Sequence, residues 1–399
     1  MKTLWTLAAL AGALAAAAPG NAAVDVLDRL VEKGILTQAE RDELKKEEPK
    51  VTLGYKNNFF LTSPDNKFRL DIYGYGQVRY TFTGKEDGDN TDNFGVQRLR
   101  LGFRGHAFTE KLKYGVLLNV YPGENTSTNK DVNLFDFFVD YTPWNELGVK
   151  VGQFKVPYST SWNLSASGLQ FVERSSVDSN FRLDRDTGVD VHGNLLGTLL
   201  SYDVGMFNGE GWNKTNAADT KHLYVARVSS EPFGKYPFHE SDNELSKSFL
   251  AHLSAAAAYN DDLKTHSIKN LNDRLTTLGQ SDVKSFNGFV GMKFRGASVQ
   301  AEGYHRVIAS QEKGKETARG GYVQAGYFVY RDVVEAAARC EYCDPNREVA
   351  DDLKQEYGGG LNWFFAGHRN KLQTDLFRVQ DQKTGLTDRR LRLQYELQF

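Results

Sequence analysis

The sequence predicts an all-β chain, a sixteen-stranded antiparallel transmembrane β-barrel with a short N-terminal helical extension. Three observations carry that prediction. Apolar and polar side chains alternate with period two from about residue 68 to the C-terminus. The alternating segments number sixteen, the even count that a closed antiparallel barrel requires. An N-terminal segment with the pattern of an export signal precedes them.

Composition excludes the main alternatives. Of the 399 residues 40% are hydrophobic, 25% charged and 12% aromatic, with a net charge of -2, and the mean hydropathy is -0.51. A spanning helix needs roughly 20 consecutive apolar residues, and only the extreme N-terminus approaches this. The aromatic content and the near-balanced charge argue equally against disorder.

In residues 1–23, Lys2, the apolar run Leu4 to Ala18 and the small residues up to Ala22 and Ala23 read as a signal peptide. Residues 24–50 differ in kind. Leu27, Leu30 and Val31 have helical spacing, Gly34 interrupts them, and Thr37 with Glu40 forms a capping box for a second helix to about Glu48. This extension is either a periplasmic or oligomer-forming handle or a spacer.

The barrel region is 51–399. In it Leu112, Tyr114, Val116, Leu118 and Val120 alternate with Lys111, Lys113, Gly115 and Asn119. Phe135, Phe137, Val139 and Tyr141 alternate with Asp136, Phe138 and Asp140, and Leu200, Tyr202, Val204 and Met206 with Ser201, Asp203 and Gly205. Each is a strand with one apolar and one polar face. The predicted spans are 68–83, 94–107, 111–122, 131–142, 147–155, 187–196, 198–208, 220–231, 248–260, 283–295, 297–307, 319–331, 332–345, 353–366, 370–381 and 386–399. Connections alternate short and long, except for a long one at 232–247 where a short turn is expected.

The last strand separates a membrane barrel from a soluble sandwich. Leu391, Leu393, Tyr395, Leu397 and Phe399 share one face, and Arg390, Arg392, Gln394, Glu396 and Gln398 the other. Strict alternation ending on Phe resembles the closing strand of bacterial outer-membrane barrels. Sixteen strands leave an aqueous channel, and by fold analogy the long connection 156–184 after the fifth strand folds inward to constrict it.

The segment from Phe94 to Arg104 places Gln97, Leu99, Leu101 and Phe103 on one face, with Val96, Arg98, Arg100, Gly102 and Arg104 on the other. An Arg facing lipid near the midplane costs about 2–4 kcal/mol, so three would cost on the order of 6–12 kcal/mol. The arginines therefore line the lumen, with Arg79 at a comparable phase on the preceding strand. A guanidinium is always charged and grips phosphate or carboxylate oxygens bidentately. The competing reading is that these arginines pair with acids such as Asp71, Asp136 and Asp140, leaving a transverse field with little selectivity.

The same residues carry a family resemblance. Arg98–Gly105 (RLRLGFRG), Val151–Tyr158 (VGQFKVPY), Phe171–Arg174 (FVER), Arg185–Gly188 (RDTG), Val204–Gly209 (VGMFNG) and Leu391–Gln394 (LRLQ) resemble, in order, the motifs of the phosphate-selective porin O/P family. The resemblance spans about 68–399. It implies an outer-membrane, trimeric porin, set in lipid and lipopolysaccharide, whose lumenal Arg and Lys guide phosphate-type anions. Lys155, within Gly152–Lys155, is the lysine nearest the inward loop, and Lys113 and Lys150 fall on lumenal phases. That loop is mixed: Glu173, Asp178 and Asp184, with Asp186 just after it, stand beside Arg174, Arg182 and Arg185, so the loop could itself be the acidic partner of the arginine wall.

Other chemistry is weakly signalled. Cys340 and Cys343 lie roughly 10 Å apart if both are on one strand, beyond the ~7 Å a disulfide spans, so either the strand ends there or both thiols are free. Glu86 to Asp92 lacks the offsets of a calcium loop. No phosphate-cradling loop, nucleophile elbow or paired-His motif is present, and the basic residues form no nucleic-acid patch. The expectation is a non-enzymatic channel without metal or cofactor. Its alternatives are a general porin and a barrel acting as an adhesin or envelope anchor.

Overall fold

The computed structural model describes residues 30–47, 51–121, 132–197, 199–215, 220–310 and 312–399. The proposed signal peptide lies outside the described residues. The chain divides into Met1–Val51 and Thr52–Phe399. In the first unit the helix α1 (Gln38–Glu47) starts where the capping box places it. Thr37 N and Thr37 Oγ1 donate to Glu40 Oε2 at 2.8 and 2.7 Å, which holds the Glu40 carboxyl below its ordinary pKa, and Glu40 N donates to Thr37 Oγ1 at 3.2 Å.

The second unit opens with a hairpin that the alternation count missed, β1 (Thr52–Lys56) and β2 (Asn58–Thr62), turning at Asn57 with φ +70°. Asn tolerates this left-handed conformation better than most residues. Sixteen strands follow: β3 (Arg69–Gly84), β4 (Thr91–Ala107), β5 (Thr109–Tyr121), β6 (Asn133–Trp144), β7 (Leu147–Lys155), β8 (Arg185–Leu195), β9 (Leu200–Phe207), β10 (Leu223–Ser230), β11 (Leu250–Leu263), β12 (Ser281–Phe294), β13 (Ala297–Ser310), β14 (Gly314–Tyr330), β15 (Val334–Asp344), β16 (Lys354–Phe364), β17 (Asn370–Asp381) and β18 (Leu386–Gln398). Each pairs antiparallel with the next, and β18 returns to β3 in the register Leu393↔Tyr80 and Gln398↔Tyr75. Closure removes every edge in the ring, as a barrel must in lipid.

The alternation is physical. Val78, Val139, Val151, Val204, Val323, Leu376 and Leu393 are exposed on the outer face, while Gln77, Arg79, Glu302, Arg339, Asn362, Lys371, Asp375 and Arg392 are buried inside. Polar groups there survive burial because they are bonded. Arg392 donates to both Asp375 oxygens, at 2.7 and 2.8 Å.

Two bulges correct the predicted faces. The register slips between Gln77 and Val78, leaving Gln97 opposite no partner, so Val96 pairs with Val78 and turns outward rather than joining the arginine face. A second slip between Leu117 and Leu118 frees Phe135. Its ring then lies against Arg100 and Arg185 in the lumen, not on the outer face. The connection 261–282 contains a helix, α4 (Lys269–Leu278), that period-two reading could not reveal, and β14 begins five residues earlier than predicted, at Gly314. Both thiols are free on β15, Cys340 outward and Cys343 buried.

The long connection between β10 and β11 belongs to the rim where β3 starts and β18 stops. Instead of lying across that rim, it folds into the barrel: Tyr236, Glu240, Ser241 and Asp242 are buried. Lys293 Nζ donates to the carbonyls of Pro237 at 2.9 Å and Ser241 at 3.0 Å. The length that breaks the short-turn rule is thus lumenal filling.

Candidate functional site

The connection after β7 does fold inward. It carries two short helices, α2 (Thr160–Asn163) and α3 (Ser176–Phe181), each with a serine at its N-cap: Ser159 accepts from Trp162 N at 3.0 Å and Ser175 from Val177 N at 3.1 Å. The remaining N–H groups at these helix starts point at wall carboxylates. Glu302 accepts from Thr160 N at 2.8 Å and Ser161 N at 3.2 Å, and Glu341 accepts from Ser176 N at 3.0 Å. Further along, Asp375 accepts from Val172 N, Lys371 donates to the Ser167 and Leu169 carbonyls at 3.0 Å, and Arg306 Nη2 donates to Phe181 O at 2.6 Å. The loop is therefore sewn most densely to the wall from β13 to β17, with further bonds to β10, β11, β3 and β4, and a cavity remains on the side of β3–β8.

Arg98 and Arg79 point inward as their phase requires, but neither is a free charge. Glu173 of the loop accepts from Arg98 Nη2 at 2.6 and 2.8 Å and from Arg79 Nη2 at 3.0 Å. Burial alone would raise the Glu173 pKa, and the two guanidiniums outweigh it, holding the carboxyl well below its ordinary value. The acids first weighed as partners are engaged elsewhere: Asp71 by Arg69, Asp136 by Arg185 and Asp140 by His192.

Below the loop, toward the rim of the termini, lies a cavity of about 560 Å³. Six cationic side chains, Arg100, Arg104, Lys150, Lys155, Arg185 and Arg369, line it against one side-chain carboxylate, Asp136. Low-dielectric walls focus such a field and concentrate counter-ions. The cations are held apart by aromatic seats: Arg100 lies 4.8 Å from the Phe135 ring centre, Arg104 4.9 Å from that of Tyr73, and Lys150 4.8 Å from that of Phe138. Lys155 Nζ is bonded to the carbonyls of Trp162 at 2.7 Å and Leu164 at 2.8 Å.

The other predicted residues do not join this chamber. Lys113 is exposed, paired in register with Asp140, and does not line it. Arg174 is buried, donating to the Ser161 and Leu164 carbonyls at 3.0 and 2.6 Å, and Arg182 stacks 3.8 Å from the Trp162 ring centre. Asp186 is wholly buried and accepts from Thr187 N and Gly209 N, which makes it a support for the loop base rather than part of a constriction. Two contributors escaped the sequence reading. Arg369 sits in the tight turn before β17, where no local pattern marks it, and Asn57 at the hairpin tip accepts from Arg369 Nη2. Among the described residues no cluster of His, Cys, Asp or Glu is arranged to hold a metal ion.

A sequence model of the family described as phosphate-selective porin O and P matches residues 72–399. The chain belongs to this family. The porin is 26% identical to an uncharacterised protein of Aquifex aeolicus (strain VF5), over 94% of each chain. In fold it is similar to the outer-membrane channel DcaP of Acinetobacter baumannii, at 12% identity, 83% and 97% coverage of the two chains and a TM-score of 0.55. It is likewise similar to a loop-deletion mutant of OmpT, an outer-membrane protein of Vibrio cholerae, at 13% identity, 83% and 99% coverage and a TM-score of 0.56. It is an outer-membrane β-barrel porin of the bacterial cell.

Proposed function

We propose that this porin is a diffusion channel favouring small anions, phosphate and related oxyanions among them, guided by Arg100, Arg104, Lys150, Lys155, Arg185 and Arg369. The observation that carries this reading is the chamber beneath the loop, with six cationic side chains to one side-chain carboxylate. The net charge of -2 over the whole chain supplies no such bias, so selectivity follows from placement. In this reading residues 1–23 direct export, residues 24–50 form a periplasmic extension, and the barrel assembles as a homotrimer embedded in lipid and lipopolysaccharide. Planar-bilayer recordings across a KCl gradient test it. The expected reversal potential has the sign of chloride preference, and millimolar phosphate lowers the chloride current; potassium preference would refute the reading.

A general porin is the second reading, and one observation favours it. Glu173 neutralises part of the arginine wall at the constriction itself. Chloride preference without any effect of phosphate would select this alternative.

A further inference from the structure

The chamber is too roomy for a compact inorganic ion to meet its charges together. Its volume of about 560 Å³ falls within the range of roughly 300–1,000 Å³ typical of pockets that hold drug-sized organic molecules. Among the described residues, Arg100, Arg104 and Lys150 have no carboxylate in ion-pair contact. These three charges are also widely spread. Lys150 lies on β7, three strands and roughly 14 Å around the wall from β4, and its register partners Asp140, Lys113 and His106 set it two residues beyond the level of Arg104. Arg100 and Arg104 are four residues apart on β4, roughly 13 Å.

Between the charges the wall is largely aromatic: Tyr73, Tyr75, Phe138 and Phe154 line the space. The Arg100 Nε is buried with no hydrogen-bond partner, and its Nη1 donates to Tyr75 OH at 2.6 Å. A buried charged donor without an acceptor is unfavourable until a ligand supplies one. A single phosphate satisfies one such corner at a time and leaves the aromatic surface wet.

From this geometry we infer that the chamber is a holding site for organic anions that carry two separated acidic groups, carboxylate or phosphate, on a flat, partly apolar body. One acidic group engages Arg100, the other Lys150, and the body covers the aromatic floor. The inference rests on the anion-channel reading and narrows its solute class. Holding must stay weak, because a channel that binds too tightly ceases to conduct.

The test is block of chloride current through the full-length porin in planar bilayers by terephthalate, benzoate or inorganic phosphate. One added charge-assisted pair is worth roughly tenfold in binding. Terephthalate is therefore expected to halve the current at a concentration about tenfold below that needed for benzoate or phosphate. Arg100→Gln and, separately, Lys150→Gln remove that advantage, while Lys113→Gln outside the chamber retains it. Benzoate or phosphate blocking as well as terephthalate overturns the inference and leaves the anion channel standing. A cation-selective reversal potential sinks the underlying reading instead. If Arg100→Gln yields no channel, Lys150→Gln alone decides the matter.

Discussion

Glu173 draws Arg98 out of the open lumen, both carboxylate oxygens accepting from Arg98 Nη2, at 2.6 and 2.8 Å. The same carboxylate takes Arg79 from the neighbouring strand. One acid on a loop thus cancels part of the positive wall, and this makes the wall adjustable by a single substitution.

Glu173→Gln is expected to raise the chloride-to-potassium permeability ratio, by about twofold or more given the focusing of charge in such a lumen. Removing one partner of a fully buried pair costs about 3–5 kcal/mol. With the Glu173 side chain 26% exposed, a loss of about 1–3 kcal/mol is the expectation once screening is allowed for. Reversal potentials read the first effect and denaturant unfolding in detergent the second. An unchanged ratio would show that Arg79 and Arg98 do not reach permeating ions.

The pH dependence follows from the sign of the Glu173 shift. Its carboxyl is held below the ordinary 4.5, so the folded state binds the proton less readily than the unfolded chain does. The stabilising contribution is complete above about 4.5 and is lost as pH falls through the lower folded value. The part of the anion selectivity that Glu173 sets should accordingly stay flat from neutral pH to about 4.5 and climb only in stronger acid. A titration of reversal potential in the native protein and in Glu173→Gln checks this, since the variant lacks the step.

Arg104→Ala should reduce chloride preference more than Arg98→Ala. Arg104 is exposed over Tyr73 in the chamber, whereas the Arg98 charge is already matched by Glu173. Equal effects in bi-ionic measurements would contradict the division of the arginine file into a free half and a paired half.

Glycines differ in what they tolerate. A Cβ at Gly105 would lie 1.8 Å from the Arg69 carbonyl oxygen on the adjacent strand, while one at Gly288 meets nothing within 4 Å. Gly105→Ala should therefore abolish the heat-modifiable folded band on a gel, or cost about 3 kcal/mol or more if the barrel forms at all. Gly288→Ala should fold like the native protein. If both variants fold equally well, the close approach of β3 and β4 at Gly105 is wrong.

Arg369→Ala breaks the bond to Asn57 across the rim of the chamber. Solute access from that side should become faster, seen as a shorter lifetime of terephthalate block, with the native reversal potential retained in sign. An unchanged lifetime would mean that the hairpin tip does not narrow the mouth.

The barrel itself was legible because lipid and water impose opposite demands on the two faces of each strand, and period two records those demands directly. The inward turn of Arg98, Arg100 and Arg104 followed from the same logic. The reading failed where backbone departs from regular pairing: single-residue bulges moved Val96 outward and Phe135 inward. It also could not assign partners across the lumen. Glu173 and Arg98 are 75 positions apart, and nothing in either local pattern names the other. Asp186 looked like part of a charged constriction because sequence shows charge, not burial. Arg369 and Asn57, 312 positions apart, meet only because the ring closes.

The segment between β10 and β11 reaches up from one rim to the loop descending from the other, with Glu240 N on the Gly168 carbonyl at 2.9 Å and Gln170 N on Glu240 Oε2 at 2.8 Å. Mechanically this is an arch with a keystone. A cantilevered loop can swing; one braced from both ends is expected to act as a fixed orifice, its bore set by these bonds.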